Sequence, residues 1–373
     1  MGKTSGGRAI LPAQSLQTLI DVVHSQGYRL IGPTLEDNAI VYDDLENVEN
    51  LPLGISDRQS PGNYRLEDDP SAGYFAHVVG PHSWKRFLFP AAQKLWSATR
   101  VDQGFSIQTP EDETKLAFIG VRACEIKALQ MQDRVFSQGP FTDNGYGEKR
   151  QNCLIIAVNC SRAADTCFCS SMDAGPRVTE GFDLALTELQ QGRHDFLIET
   201  GSANGEALLK ELVTRKAEDQ DFAEADAQLA ATEASIQRRM PSNIPEVLER
   251  HLQDEHWQTI ESRCLNCSNC TLVCPTCFCS TVEDTTDLTG QHAERWRYWD
   301  SCFNTDFSYI HGGSIRQSGA ARYRQWITHK LSYWHKQFGT SGCTGCGRCI
   351  TWCPVGIDIT EEAATFCEID KRS

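Results

Sequence analysis

Between residues 15 and 26 the apolar positions Leu16, Leu19, Ile20 and Val23 fall on one stripe, which predicts an amphipathic helix laid against a core. Beyond Gly27 the period shortens. Residues 28–31 and 39–42 read as strands, while 51–66, broken by Pro52, Gly54, Pro61 and Gly62, reads as loop. Residues 84–96 are apolar and helical in places, with an interruption at Pro90. From residue 115 an α/β rhythm sets in. It comprises a compact apolar strand at 115–121, helical spacing of Ile126, Leu129 and Val135 across 124–135, a second buried strand at 153–158 and a third at 196–199. The first two strands end beside Cys124 and Cys160. Open α/β sheets place their chemistry at such strand ends, an expectation that rests on analogy of fold.

From about residue 206 the composition shifts to Ala, Glu, Gln and Leu, is acidic and alanine-rich across 221–239, and predicts helices broken at Pro241 and Pro245. Residues 246–263 read as one more helix, which delivers the chain into Cys264, and helical spacing returns at 320–338. The expected fold class is α+β. An N-terminal α/β domain covers 1–205, a helical connector 206–245, and a mainly helical C-terminal domain 246–373, which carries two cysteine runs.

The runs are Cys264-Leu-Asn-Cys267-Ser-Asn-Cys270-Thr-Leu-Val-Cys274-Pro275 and Cys343-Thr-Gly-Cys346-Gly-Arg-Cys349-Ile-Thr-Trp-Cys353-Pro354. Both read C-x2-C-x2-C-x3-C-P, the spacing that wraps a backbone loop around one face of a cubane iron–sulfur cluster. Three thiolates of a run reach three irons of one cluster, and the fourth, ahead of the proline, turns to the other cluster. One 4Fe-4S cluster is therefore expected on Cys264, Cys267, Cys270 and Cys353, and a second on Cys343, Cys346, Cys349 and Cys274. Structural zinc is the main rival. Zinc pairs two knuckles of two ligands each at a tetrahedral centre, and these runs offer too many thiolates at the wrong pitch. The 68 residues between Cys274 and Cys343 exceed what a minimal ferredoxin needs. A helical, ferredoxin-like dicluster domain is expected, rather than the small β-rich form, and its business is electron transfer.

Cys167-Phe-Cys169-Ser and Cys277-Phe-Cys279-Ser form an internal echo. A Cys-x-Cys in an extended loop can point both sulfurs at one object. With Cys124 and Cys160 the first pair would complete a third cluster, on Cys124, Cys160, Cys167 and Cys169. The plainer alternative is four buried thiols packing as small apolar residues. Cys277, Cys279 and Cys302 are expected to pack beside a cluster or tune it, and Cys153 and Cys367 only to pack. Across 322–335, Tyr323, Trp326, Tyr333 and Trp334 lie among Lys330 and two histidines. The helical spacing of Trp326, Tyr333 and Trp334 predicts a cover over a cluster pocket rather than a nucleic-acid platform, with the histidines outside the ligand sets.

Charge and cysteine usage narrow the setting. A formal charge of -15 argues against a nucleic-acid partner, which would want a basic face. Seventeen cysteines, an odd number mostly gathered in tight runs, do not read as a disulfide scaffold. Residues 1–8 lack the apolar stretch of a signal peptide, and Gly6 breaks the myristoylation pattern. No apolar stretch approaches a membrane span. A reducing cytoplasm without membrane insertion is expected. No G-x-G-x-x-G follows a strand, and G-x-x-x-x-G-K-[ST], G-x-S-x-G and H-E-x-x-H do not occur. No catalytic residue is expected in this chain, which leaves both the donor and the acceptor of its electrons to partners.

Several blocks, taken together with the runs, carry a resemblance. They are Leu51-Pro-Leu-Gly54, Gln59-Ser-Pro-Gly-Asn-Tyr-Arg-Leu66, Gly80-Pro-His-Ser-Trp-Lys-Arg-Phe-Leu88 and Gly120-Val-Arg-Ala-Cys-Glu-Ile-Lys-Ala-Leu129. The others are Cys167-Phe-Cys-Ser-Ser-Met-Asp-Ala-Gly-Pro176, Cys274-Pro-Thr-Cys-Phe-Cys279 and Trp299-Asp-Ser-Cys302. Over nearly its whole length the chain resembles the β subunit of cytoplasmic NAD(P)-linked nickel–iron hydrogenases (sulfhydrogenases) and its relative, the iron–sulfur electron-transfer subunit of anaerobic sulfite reductase. What the resemblance implies is an electron-transfer subunit. Hydride exchange with the nucleotide would fall to a flavin/NAD(P)H-binding subunit, and the clusters would pass single electrons onward. The catalytic subunit of a hydrogenase, or of a sirohaem sulfite reductase, would then reduce protons, polysulfide or sulfite. Clusters serving as structural staples or redox sensors are a third reading, opposed by two clusters that exchange ligands where a sensor needs one labile site. The chain departs from the group's Gly-x-Arg-Pro-Cys-Asp at Ala123 and Glu125, which matters if that carboxylate contacts a cluster.

Overall fold

The computed structural model describes residues 7–372, so the stretch read above for a leader lies outside it except for Gly7 and Arg8. An eight-stranded sheet runs in the order Arg215–Lys216, Arg8–Pro12, Asp195–Thr200, Leu184–Leu189, Leu154–Val158, Leu116–Val121, Arg29–Glu36, Ala39–Asp44. The strands from Leu184–Leu189 to Arg29–Glu36 are parallel, and antiparallel pairs extend both flanks. Every residue of Leu116–Val121, Leu154–Val158 and Leu184–Leu189 is buried, as in parallel strands covered on both faces. Alternation divides them between two cores. Ala117, Ile119, Leu154, Ile156 and Val158 share one with Leu16, Leu19 and Ile20 of the helix Leu16–Ser25. Phe118, Ile155 and Ala157 join Trp84, Ile126 and Leu129 in the other. A bulge between Ile119 and Val121, with Gly120 at φ 94°, turns Val121 into this second set. Just past it the chain reaches Cys124.

Strands appear where the apolar pattern had given no sign of them. Much of 51–66, expected as loop, belongs to a hairpin, Ile55–Ser60 with Asn63–Asp68, around Pro61-Gly62; its residues are too polar to show an apolar alternation. A second sheet, ordered Ser280–Thr286, His292–Trp299, Ala92–Val101, Gly104–Gln108, joins a hairpin of the first half to one from between the cysteine runs. The insert is therefore partly β, and its Thr, Val, Trp and Tyr content suits strands.

The expected helix at 320–338 is present as Gly319–Thr328 and Trp334–Phe338, joined by one wider π turn, His329–Tyr333. Residues 246–263 hold two helices rather than one, Ile244–Arg250 and His256–Glu261; between them Asp254 accepts the His256 N–H at 2.8 Å and restarts the chain. In the segment expected as a connector, Arg215–Lys216 pairs with the sheet and the helix Asp219–Ser235 packs on Leu184–Leu189 and Asp195–Thr200. The class is α+β, as the sequence predicts. A third core gathers Val247, Trp257, Ile260, Tyr323, Trp326, Leu331 and Phe366, with Cys264, Cys270, Cys349 and Cys353 packed against it.

Candidate iron–sulfur sites

Both cysteine runs fold into one local shape. The first cysteine of each accepts a backbone N–H from two residues on, Asn266 N to Cys264 Sγ and Gly345 N to Cys343 Sγ, each at 3.4 Å. Left-handed residues stand at matching places, Asn266 (φ 52°) and Ser268 (φ 68°) in one loop, Gly345 (φ 67°) and Gly347 (φ 78°) in the other. Each loop then enters a single helical turn, Asn269–Leu272 or Arg348–Thr351, and the two turns pack together. Such alternation of backbone hand turns successive N–H groups toward one point, the arrangement of an anion nest.

Cys264, Cys267, Cys270 and Cys353 line one apolar pocket. Phe303, Tyr323, Trp326 and Ile357 complete its walls, and no charged side chain does; of Trp326, Tyr333 and Trp334, expected as an aromatic cover, Trp326 lines the pocket, and Tyr323 joins it there. Ile357 N donates to Cys353 Sγ at 3.3 Å. Cys267 is exposed, and so are Leu265 and Val355 of the pocket rim. All four residues expected of the first cluster are thus brought together, and Cys349 borders them.

The second set is deeper, with Cys274 and Cys343 buried and Cys346 and Cys349 half-buried. Burial, then the Cys343, Cys346 and Cys274 thiols, pushes the Cys349 thiol well up. Cys274 is pulled the other way, first by its bond with Cys277 and then by Lys330 and Thr276. Lys330 Nζ lies 3.3 Å from Cys274 Sγ, 2.9 Å from Thr276 Oγ1 and 3.0 Å from Gly342 O. Lys85 Nζ lies 3.2 and 3.0 Å from the carbonyls of Cys274 and Cys277 and 3.9 Å from the Trp299 ring centre.

Cys124, Cys160, Cys167 and Cys169 line another cavity, and Cys346 of the second run lines it with them. The contact is built from backbone. Phe168 N donates to Gly345 O at 2.9 Å, and the Thr166 and Thr351 hydroxyls meet at 2.8 Å. A Cβ on Gly345 would fall 2.6 Å from the Phe168 carbonyl carbon, and one on Gly347 2.5 Å from Thr166 O. These glycines serve the close approach as well as the left-handed turn. Burial pushes the Cys167 thiol up to about 12 and raises Cys124, Cys160 and Cys169 too. In the metal-free chain they keep their protons, which binding as thiolates would release.

Glu125, one of the two departures from the resembling group, is fully buried and paired with Arg348, itself fully buried. It also accepts from Tyr42 Oη at 3.0 Å, Trp84 Nε1 at 2.9 Å and Arg122 N at 3.2 Å. The carboxylate therefore ties the second run to the turn that carries Cys124. Sequence reasoning missed this pair, though Arg348 stood in view between Cys346 and Cys349, where the first run has Asn269.

Among the described residues no three His, Cys, Asp or Glu side chains gather closely around one point. Groups of thiols on apolar walls, with N–H groups directed at sulfur, suit the larger iron–sulfur clusters. Bound there, such a cluster supplies one-electron redox chemistry. Residues 263–357 match the profile of the 4Fe-4S dicluster domain. Over 307 residues, 79% of this chain and 86% of its counterpart, the sequence is 30% identical to sulfhydrogenase 2 subunit beta of Pyrococcus furiosus.

The chain belongs to the sulfhydrogenase β-subunit family. A member of that family with a 4Fe-4S dicluster domain is an iron–sulfur electron-transfer subunit. Among the described residues of this sulfhydrogenase-family chain no helix is long and apolar enough to cross a membrane. Its remaining thiols are engaged within the protein. Cys302 donates a hydrogen bond to Cys279 and holds that thiol below its ordinary value, while Cys153 and Cys367 donate to Leu154 O and Asn243 Oδ1.

Proposed function

We propose that this subunit relays single electrons between a flavin/NAD(P)H-binding subunit and a nickel–iron hydrogenase subunit of one cytoplasmic complex. In this reading one 4Fe-4S cluster rests on Cys264, Cys267, Cys270 and Cys353, a second on Cys343, Cys346, Cys349 and Cys274, and a third on Cys124, Cys160, Cys167 and Cys169. Residues 1–205 are then the module of the third cluster, 206–245 the connector and 246–373 the dicluster module. The observation that carries the proposal is the continuity of the thiol groups. Cys267 is exposed at one end, Cys349 borders the first group, and Cys346 lines the cavity of the third. Contiguous groups offer short steps, and the name of the Pyrococcus relative supports a hydrogenase partner. The protein's own part is to hold the thiolates, aim N–H groups at sulfur and keep the walls apolar, which together set the potentials.

Anaerobically purified protein should contain iron and acid-labile sulfide in equal amounts, about twelve of each per chain at four per cubane. Cys167→Ser should remove about four irons and spare the rest. Zinc without sulfide would end the whole reading, and about eight irons unaffected by Cys167→Ser would end the third cluster. A nickel-bearing subunit in the purified complex supports the hydrogenase assignment, whereas a sirohaem subunit replaces it with sulfite reductase.

A further inference from the structure

Two lysines are buried beside the second thiol group, Lys330 at 5% and Lys85 at 3% exposure. Neither has a carboxylate. Among the described residues the lysines in ion pairs are Lys94, Lys149 and Lys336. An ammonium in a protein interior is strongly disfavoured unless something anionic balances it. Here the sulfur that hydrogen-bonds Lys330 is Cys274 Sγ, 3.3 Å from its Nζ, while Lys85 Nζ meets the carbonyls of Cys274 and Cys277. An ammonium so placed calls for negative charge on that sulfur.

The charge of Lys330 follows from its hydrogen bonds. Its three acceptors are Cys274 Sγ, Thr276 Oγ1 and Gly342 O, at 3.3, 2.9 and 3.0 Å. The Thr276 hydroxyl has Gly342 O at 2.7 Å and Cys274 Sγ at 3.2 Å to take its one proton, so toward Lys330 its oxygen accepts. Three donations need three N–H bonds, which the ammonium has and the neutral amine lacks. The residue sits in the π turn His329–Tyr333, an uncommon element found frequently at functional sites. Its carbonyl accepts Gly342 N at 2.7 Å, which pins the same turn to the residue before Cys343. Lys85 adds a second basic group beside Cys274, held by two carbonyls and lying over the Trp299 ring. The first pocket has no such charge in its lining. Arg322, whose field reaches Cys264, gives its hydrogen bonds to the Arg316 and Gln317 carbonyls and Thr305 Oγ1.

We infer that Lys330, backed by Lys85, is a positioning charge that makes the second cluster easier to reduce than the first. The inference rests on the ligand sets proposed above. Reduction adds one negative charge to a cluster, and a fixed cation donating to a ligand sulfur stabilises that added charge. One electron leaves the first cluster and one arrives at the second; no bond forms and no proton need move. A single electron in the dicluster module therefore resides on the buried side. Electrons that enter near exposed Cys267 run downhill into the protein.

A potentiometric titration followed by electron paramagnetic resonance, on anaerobically purified protein with iron counted, tests this. Lys330→Met should lower one midpoint potential by about 59 mV, tenfold for one electron, while the other stays in place and the iron content is unchanged. Lys330→Arg should restore most of the difference, and Lys85→Met should lower the same potential by less. Unchanged potentials in both methionine variants at full iron content overturn the inference. Should Lys330→Met shed iron, Lys85→Met decides, because it removes a charge without touching a sulfur. Failure of the ligand sets would show separately, as wild-type protein without the about eight irons of two cubanes.

Discussion

The two cysteine runs share a backbone and differ in what presses on it. Left-handed φ is filled by Asn266 and Ser268 in the first loop and by Gly345 and Gly347 in the second. The first loop carries the exposed Cys267 and has room for side chains; the second lies against the backbone of 166–169, where a Cβ would collide. Cluster-loop geometry asks for the positive φ, but the neighbour asks for the glycine. The same contrast holds one residue on. Asn269 of the first run bonds the Trp352 carbonyl at 3.2 Å, whereas Arg348 of the second runs into a buried carboxylate. Glycine and arginine inside a cysteine run thus report tertiary contact rather than metal chemistry.

The largest consequence lies at Arg348. Replacing it with Met leaves Glu125 buried and uncompensated, and breaking such a pair costs about 3–5 kcal/mol. Asn269→Ala, its counterpart, removes one exposed-side hydrogen bond, worth about 1 kcal/mol. Urea unfolding of both anaerobic variants should show that order. The double change Arg348→Met with Glu125→Gln should recover most of the loss, since no buried charge is then left alone. Equal effects at the two positions would break the comparison.

Next come the glycines. Gly345→Ala adds both left-handed strain and a collision with Phe168, about 2–4 kcal/mol together. It should also loosen the contact that brings Cys346 to the third group. Ser268→Ala at the equivalent of Gly347 should stay within about 0.5 kcal/mol. Thermal unfolding measures the gap, and a Gly345→Ala variant as stable as wild type would mean that the second loop is not clamped.

How far this was legible beforehand depended on where each signal lay in the chain. The two runs declare themselves by local spacing, and Cys124 and Cys160 stood at the ends of two strands that were apparent from their apolar residues. What joins these parts was not legible. Glu125 and Arg348 are 223 residues apart, and Thr166 and Thr351 are 185 apart; pairing over such distances leaves no periodic trace in one sequence. The hairpins at 55–68 and 280–299 were missed for a related reason. Their strands are half-exposed and polar, so they follow from sheet partners rather than from an apolar rhythm. Lys330 stood out only as a positive charge among aromatics, because helical periodicity cannot foresee the π turn on which it sits.

Exposure of Cys267 separates the two loops kinetically as well. Under mild oxidation iron should leave the first cluster before the second, about tenfold faster, a barrier difference of ~1.4 kcal/mol. Iron release from wild type would then be biphasic. Cys264→Ser, which removes a ligand proposed for the first cluster alone, should abolish the fast phase. A fast phase that survives in Cys264→Ser would place the vulnerable cluster elsewhere and detach exposure from lability.

The smallest effect is the most discriminating about the first loop. Asn266→Gly relieves a left-handed residue, but it also frees the unfolded chain, a destabilisation of about 0.4–1 kcal/mol. Asparagine tolerates this conformation better than most residues, so the strain relieved is of similar size and the two terms nearly cancel. The side chain itself holds little. Asn266 Nδ2 is 3.5 Å from the Cys264 carbonyl, and Oδ1 is buried without a partner. Stability within about 0.5 kcal/mol of wild type and full iron content are expected. A loss beyond that would show that the asparagine is itself a contact of the first cluster's loop, and that only the second loop owes its residues to a neighbour.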